Sequence, residues 1–110
     1  GTRSVGSYNI FLQQKSRLLV TNTSSYPRRL SLSLTRVGGN VIPLTPDLGE
    51  RTVPGRGLLE IDLNQLESEN QYGIVEIYTH PDQDAPLESL TAWVLREKPG
   101  NYVMTTLMRR

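Results

Sequence analysis

Cysteine is absent from the 110 residues of the chain. Disulfides, thiolate nucleophiles and thiolate-bound zinc are thereby excluded together, while the compartment stays open, since domains on either side of a membrane often lack the residue. Histidine occurs once, at His80. Transition-metal sites recruit two or more nitrogen or sulfur ligands, so His80, beside Pro81 and near Asp82, Asp84 and Glu88, reads as a solvated loop side chain. Those three carboxylates offer the oxygen ligands that calcium takes, but the glycine-containing spacing of a calcium loop is missing. No cofactor is expected. No apolar run approaches the ~20 residues that cross a bilayer as a helix. The opening Gly1-Thr-Arg-Ser-Val lacks the apolar stretch of a signal peptide, as in a mature or excised piece.

Catalytic motifs are missing as well. Gly55-Arg-Gly has neither the Lys-Ser/Thr ending nor the following helix of a phosphate loop, and no nucleophile elbow occurs. Glu60 and Asp62, at i and i+2, share one strand face at a spacing suited to paired carboxylates. Their position opposite the expected core makes them solvated or Arg-paired instead. The chain therefore reads as a non-enzyme.

Positive charge is the last absence. From Gly57 to Leu95 there is no Lys or Arg, and eight acids fall there: Glu60, Asp62, Glu67, Glu69, Glu76, Asp82, Asp84 and Glu88. Residues 1–56 hold eight cations against two acids, and residues 96–110 hold four against one, so +6, −8 and +3 sum to the net +1. Segregation of this kind suits strands of opposite charge that pair within one domain or between identical subunits. Arg28-Arg29, Arg51, Arg56 and Arg109-Arg110, with Tyr8, Tyr26 and Tyr102, would make a basic aromatic face for nucleic acid if they met. The pI near 8.3 and the acidic block weigh against that reading. Asn22-Thr-Ser fits the N-glycosylation triplet, a match that arises often by chance.

What the chain has in quantity is alternation. Leu30-Ser-Leu-Ser-Leu-Thr and Leu59-Glu-Ile-Asp-Leu repeat with period two, the mark of strands with one buried face. Residues 8–13 and 17–21 read as a short pair, and 22–27 as a loop rich in residues that hydrogen-bond their own backbone. Gly38-Gly39-Asn40 predicts a hairpin turn between 30–37 and 41–44. Pro43, Pro46 and Pro54 restrict residues 43–56 to edge strand and loop. Residues 64–70 allow one helical turn before a strand over 72–79. Residues 87–96 are apolar on both faces, with Leu90, Ala92 and Val94 opposite Trp93 and Leu95, as in a central strand or one covered by a loop or partner. Lys98-Pro-Gly-Asn is a second tight turn, before a last strand over 102–108. The expectation is an all-β, two-sheet antiparallel sandwich of seven to eight short strands, immunoglobulin-like or related, with a small open barrel as the alternative. It spans 8–110 as one domain after a flexible segment over 1–7.

Three stretches carry a resemblance: Leu19-Val-Thr-Asn-Thr-Ser, Thr52-Val-Pro-Gly-Arg leading into Leu59-Glu-Ile-Asp-Leu-Asn-Gln-Leu, and the closing Tyr102-Val-Met-Thr-Thr-Leu. Over most of residues 17–108 the chain resembles the small bacterial β-sandwich family of the sensory-rhodopsin transducer. The resemblance implies a non-enzymatic, oligomeric sandwich that binds a partner protein, in a family suspected of sugar or DNA binding. The function expected is a non-catalytic binding or assembly module, self-associating or part of a larger bacterial protein of the cytoplasm or cell envelope. A carbohydrate-binding module stacking sugar on Trp93 is the alternative, and a nucleic-acid-binding β-domain the second. The expected interface sets Arg28, Arg29 and Arg36 against Glu60, Asp62 and Glu76 around an apolar patch at Trp93 and Leu95.

Overall fold

The computed structural model of the chain describes residues 2–67, 71–81 and 89–109. Among these residues there are nine strands: β1 (Thr2–Asn9), β2 (Lys15–Asn22), β3 (Arg28–Arg36), β4 (Glu50–Val53), β5 (Leu58–Asp62), β6 (Tyr72–Thr79), β7 (Leu90–Lys98), β8 (Asn101–Thr106) and the two-residue β9 (Met108–Arg109). They form two antiparallel sheets, ordered β4-β3-β6-β1-β9 and β5-β2-β7-β8. The only helical pieces among the described residues are a four-residue α1 (Pro46–Gly49) and two 3-10 turns, Phe11–Gln13 and Leu63–Gln65. This is the all-β sandwich that the alternation predicts.

The core follows from period two. Leu30, Leu32 and Leu34 of β3 face inward while Ser31, Ser33 and Thr35 face out. Val75 and Ile77 of β6 extend that layer, and Leu18 and Val20 of β2 with Ala92 and Val94 of β7 supply the facing one. Each fully buried aliphatic side chain stabilises the fold by about 2 kcal/mol relative to exposure. β7 pairs with β2 on one side and β8 on the other, the central place that its doubly apolar pattern called for. Pro43 ends the pairing after Gly38 and Gly39, whose φ angles of 101° and 94° turn the chain back. The resulting hairpin is reduced to the Thr35–Val41 bridge and the Ile42 N–H bond to the Leu34 carbonyl at 2.9 Å. Residues 43–56 hold loop, α1 and the edge strand β4, as the prolines require. At Lys98-Pro-Gly-Asn, Gly100 takes φ 80°, which a type II turn needs at its third residue.

Three expectations are corrected. Residues 2–7, taken as a flexible lead-in, belong to β1, which lies between β6 and β9. Its inward positions include Ser4, Gly6 and the buried Tyr8, with Gly6 lying against Leu107, so over residues 2–7 no apolar alternation announces the strand. Residues 8–13 and 17–21 do not pair with each other. The Phe11–Gln13 turn, ending at Gln13 with φ 64°, carries the chain from one sheet to the other. Likewise the last strand is not continuous: after β8 the chain crosses at the buried Leu107 and ends in β9 against β1.

Gly73 of β6 marks the tightest backbone approach relevant to this topology. A Cβ there would stand 2.1 Å from the Thr35 carbonyl oxygen, a backbone atom with nowhere to go. Gly73→Ala is expected to destabilise the fold by about 2 kcal/mol. Urea unfolding checks this, and an unchanged midpoint would contradict the packing described.

Candidate functional site

The charge blocks that are separate along the chain are interleaved in space. Arg17, on β2, reaches Glu60 on β5 at 2.9 Å and also pairs with Glu97 on β7, bridging both neighbouring strands. The Glu97 contact, and then the Glu60 one, raises the Arg17 pKa further above its ordinary range. Arg3 on β1 pairs with Glu76 on β6 at 2.8 Å and lies over the Tyr78 ring. Of the two arrangements that segregation suits, strand pairing within one domain is realised here. Exposed pairs of this kind add little to stability, because water and salt screen them.

Other expected interface residues have structural duties. Arg28 is buried, donating to Ser89 Oγ at 3.0 Å and to the His80 carbonyl at 3.2 Å, which corrects its placement on a contact surface. It occupies an inward position of β3, where the alternation sends it. Asp62 accepts the Asn64 N–H at 3.0 Å at the start of a 3-10 turn. Arg29 alone of the three arginines stays exposed. Tyr8, considered as a stacking residue, is also buried. Asn22 is too: its amide donates to the carbonyls of Tyr26, Val53 and Pro54, and its oxygen accepts from Ser24. Asp82, Asp84 and Glu88 lie outside the described residues.

Arg36 holds a carboxylate that sequence reading left unassigned. Glu67, whose side chain is fully buried, accepts from Arg36 Nη2 at 2.9 Å and Nε at 3.1 Å, and from the Tyr8 hydroxyl at 2.8 Å. A buried carboxylate needs such partners, because leaving its charge uncompensated costs several kcal/mol. Burial first, and then the Glu67 hydrogen bond, raises the Tyr8 pKa well above its ordinary 10.0.

Ser31, Glu50 and His80 also meet. Ser31 Oγ donates to Glu50 Oε1 at 2.7 Å, and His80 Nε2 is 2.8 Å from Ser31 Oγ and 3.2 Å from Glu50 Oε2. The Ser31 bond holds the Glu50 pKa below the usual carboxylate value. In an acyl-transfer triad the acid orients the imidazole from its other nitrogen. Here the acid shares Nε2 with the hydroxyl and itself takes the hydroxyl proton, so the cluster is a polar clasp on the outer face.

The remaining feature is the outer face of the β5-β2-β7-β8 sheet. Register aligns Glu60, Leu19, Trp93 and Thr106 in one row, and Asp62, Arg17, Leu95 and Met104 in the next. Trp93, Leu95 and Leu19 are half-buried, while Met104 and Tyr102 are 52% and 71% exposed. The structure thus joins Trp93 and Leu95 in one patch with Leu19, Met104 and Tyr102, rimmed by the Arg17 cluster. The last three were missed, although Leu18-Leu-Val in β2 carries the same doubly apolar signal as β7. The other sheet presents Ser31, Ser33, Thr35, Ser7, Arg3 and Glu76 outward together with the half-buried Val5 and Tyr78, and with Tyr72 and Ile74 exposed near one end.

The Tyr8 cluster has a pH signature. A group whose folded pKa is raised gives stability that is complete below its unfolded pKa and declines as pH climbs above it. Urea unfolding between pH 8 and 11 is therefore expected to show stability falling above about pH 10, with a flatter profile and lower stability at neutral pH in Tyr8→Phe. A variant profile parallel to the native one would contradict this.

Neither a protein-family model, nor a curated protein, nor a solved structure matches the chain.

Proposed function

We propose that the chain is a non-catalytic binding and assembly module that acts through protein–protein contacts and self-associates. The observation that carries this reading is the outer face of the β5-β2-β7-β8 sheet, where Leu19, Trp93, Leu95, Met104 and Tyr102 stand together in contact with solvent. An apolar sheet face contributes little to its own fold when water covers it, and large contiguous patches of this type mark interaction sites. The Arg17, Glu60 and Glu97 charges border it on one side, as a polar margin borders the apolar centre of an interface. In this reading the contact centre is Trp93 and Leu95. The charges of Arg36, Glu60 and Glu76 act within the domain. A sugar site is less well served, because the cross-strand neighbours of Trp93 are Leu19 and Thr106 and offer one hydroxyl between them. The oligomeric, partner-binding sandwich implied by the resemblance agrees with the reading.

Trp93 is the single tryptophan, so its emission reports on this face directly. Raising the concentration is expected to shift that emission to shorter wavelength in step with a larger sedimentation coefficient, and high salt is expected to leave both in place. Leu95→Glu is expected to keep the β spectrum and abolish both changes. A native chain that sediments as a monomer with constant emission at every concentration would sink the reading.

A further inference from the structure

Resting on that assembly reading, we infer that two copies of the chain join edge to edge through β8. Among the described residues the sandwich has four sheet edges: β4 and β9 in one sheet, β5 and β8 in the other. An open edge presents unpaired N–H and C=O groups, and proteins that must stay apart blunt it with charge, proline or shortness. β4 carries Glu50 and Arg51 and runs into Pro54, β9 has two residues, and β5 carries Glu60 and Asp62. β8 has none of these devices. Its six residues, Asn-Tyr-Val-Met-Thr-Thr, are uncharged and all exposed, and the first charges on either side are Lys98 and Arg109.

Self-pairing is the occupant that this neutrality favours. A two-fold axis sets an edge against its own residues, so a charge on it tends to meet a like charge, and like charges across strands repel. On β8 the pairing brings polar and apolar side chains together without that cost.

The register follows from the hydrogen bonds. Leu107 N–H donates to the Ala92 carbonyl at 2.9 Å, and antiparallel ladders alternate. Val103 and Thr105 thus turn their peptide groups toward β7, and Tyr102, Met104 and Thr106 turn theirs away. The Tyr102 N–H is held by Asn101 Oδ1 at 2.8 Å, a local bond that pairing would replace. A two-fold axis at Met104 uses all three outward residues, placing Tyr102 opposite Thr106 of the second copy and Val103 opposite its Thr105. The two four-stranded sheets become one, and the Trp93, Leu95 and Met104 patch runs across the axis into its copy.

The absence of cysteine makes the test direct. A hydrogen-bonded antiparallel pair has Cα atoms about 5.5 Å apart, within disulfide range. Met104→Cys is expected to form a disulfide-linked dimer under mild oxidation, whereas Leu58→Cys, on the exposed β5 edge, is expected to stay monomeric. Val103→Lys with Thr105→Lys sets lysine against lysine across the axis and is expected to weaken the native dimer by about tenfold or more at low salt, with the β spectrum unchanged. If the native chain associates, Leu95→Glu ends the association, and neither the cysteine nor the lysine variants behave as stated, the β8 pairing is overturned while the outer-face reading stands. A native chain that never associates overturns both.

Discussion

One layer of aliphatic side chains between two sheets holds this molecule together, and the layer is supplied mainly by every second residue of β2, β3, β6 and β7. Leu18, Val20, Leu30, Leu32, Leu34, Val75, Ile77, Ala92 and Val94 fill it. An outward side chain adds nothing to that layer, so its chemistry is free to answer to something else. On β3 the outward set is Ser31, Ser33 and Thr35, which water satisfies. On β2 and β7 it includes Leu19, Trp93 and Leu95, which water does not. The difference between the two outer surfaces is thus the part of the sequence that core packing leaves unexplained.

The same constraint decides what was legible from residues alone. Strands whose inward residues are large and outward residues polar, β3 and β5, declare themselves by alternation, and β7 declares its central place by being apolar on both sides. The first part of β1 was hidden because Ser4 and Gly6 hold its inward positions ahead of Tyr8, and small inward residues leave no hydrophobic trace. The break at Leu107 was hidden for the opposite reason, since the alternation of Val103, Thr105 and Leu107 continues unbroken while the backbone changes sheets. Trp93 and Leu95 were found by pattern. Their neighbours Met104 and Tyr102 came only with register, which pairing partners set and no local window contains.

Charge follows the same constraint. A run of acids between two basic stretches suits pairing of oppositely charged strands, and antiparallel pairing folds the middle of the chain against its flanks, so that Arg3–Glu76, Arg17–Glu60 and Arg36–Glu67 all join a flank to the middle. Segregation along the chain becomes mixing in space. Glu67 shows how far this goes: one carboxylate, fully enclosed, ties β1 through Tyr8 and β3 through Arg36 to the segment after β5. Asn22 plays a similar part with an amide, tying a loop to the end of β4.

The pairing of β1 with β6, from Thr2 opposite Thr79 to Asn9 opposite Tyr72, bears on how the molecule is made. A ribosome delivers the first strand long before its nearest long partner, and β2 likewise waits for β5 and β7. Neither early strand has a neighbour in sequence with which to form a hairpin. Assembly must therefore close large loops before any ladder repays the lost chain entropy, which places this sandwich among slow folders of high contact order. During synthesis β1, β2 and β3 stay without their native ladder partners until the later strands are made.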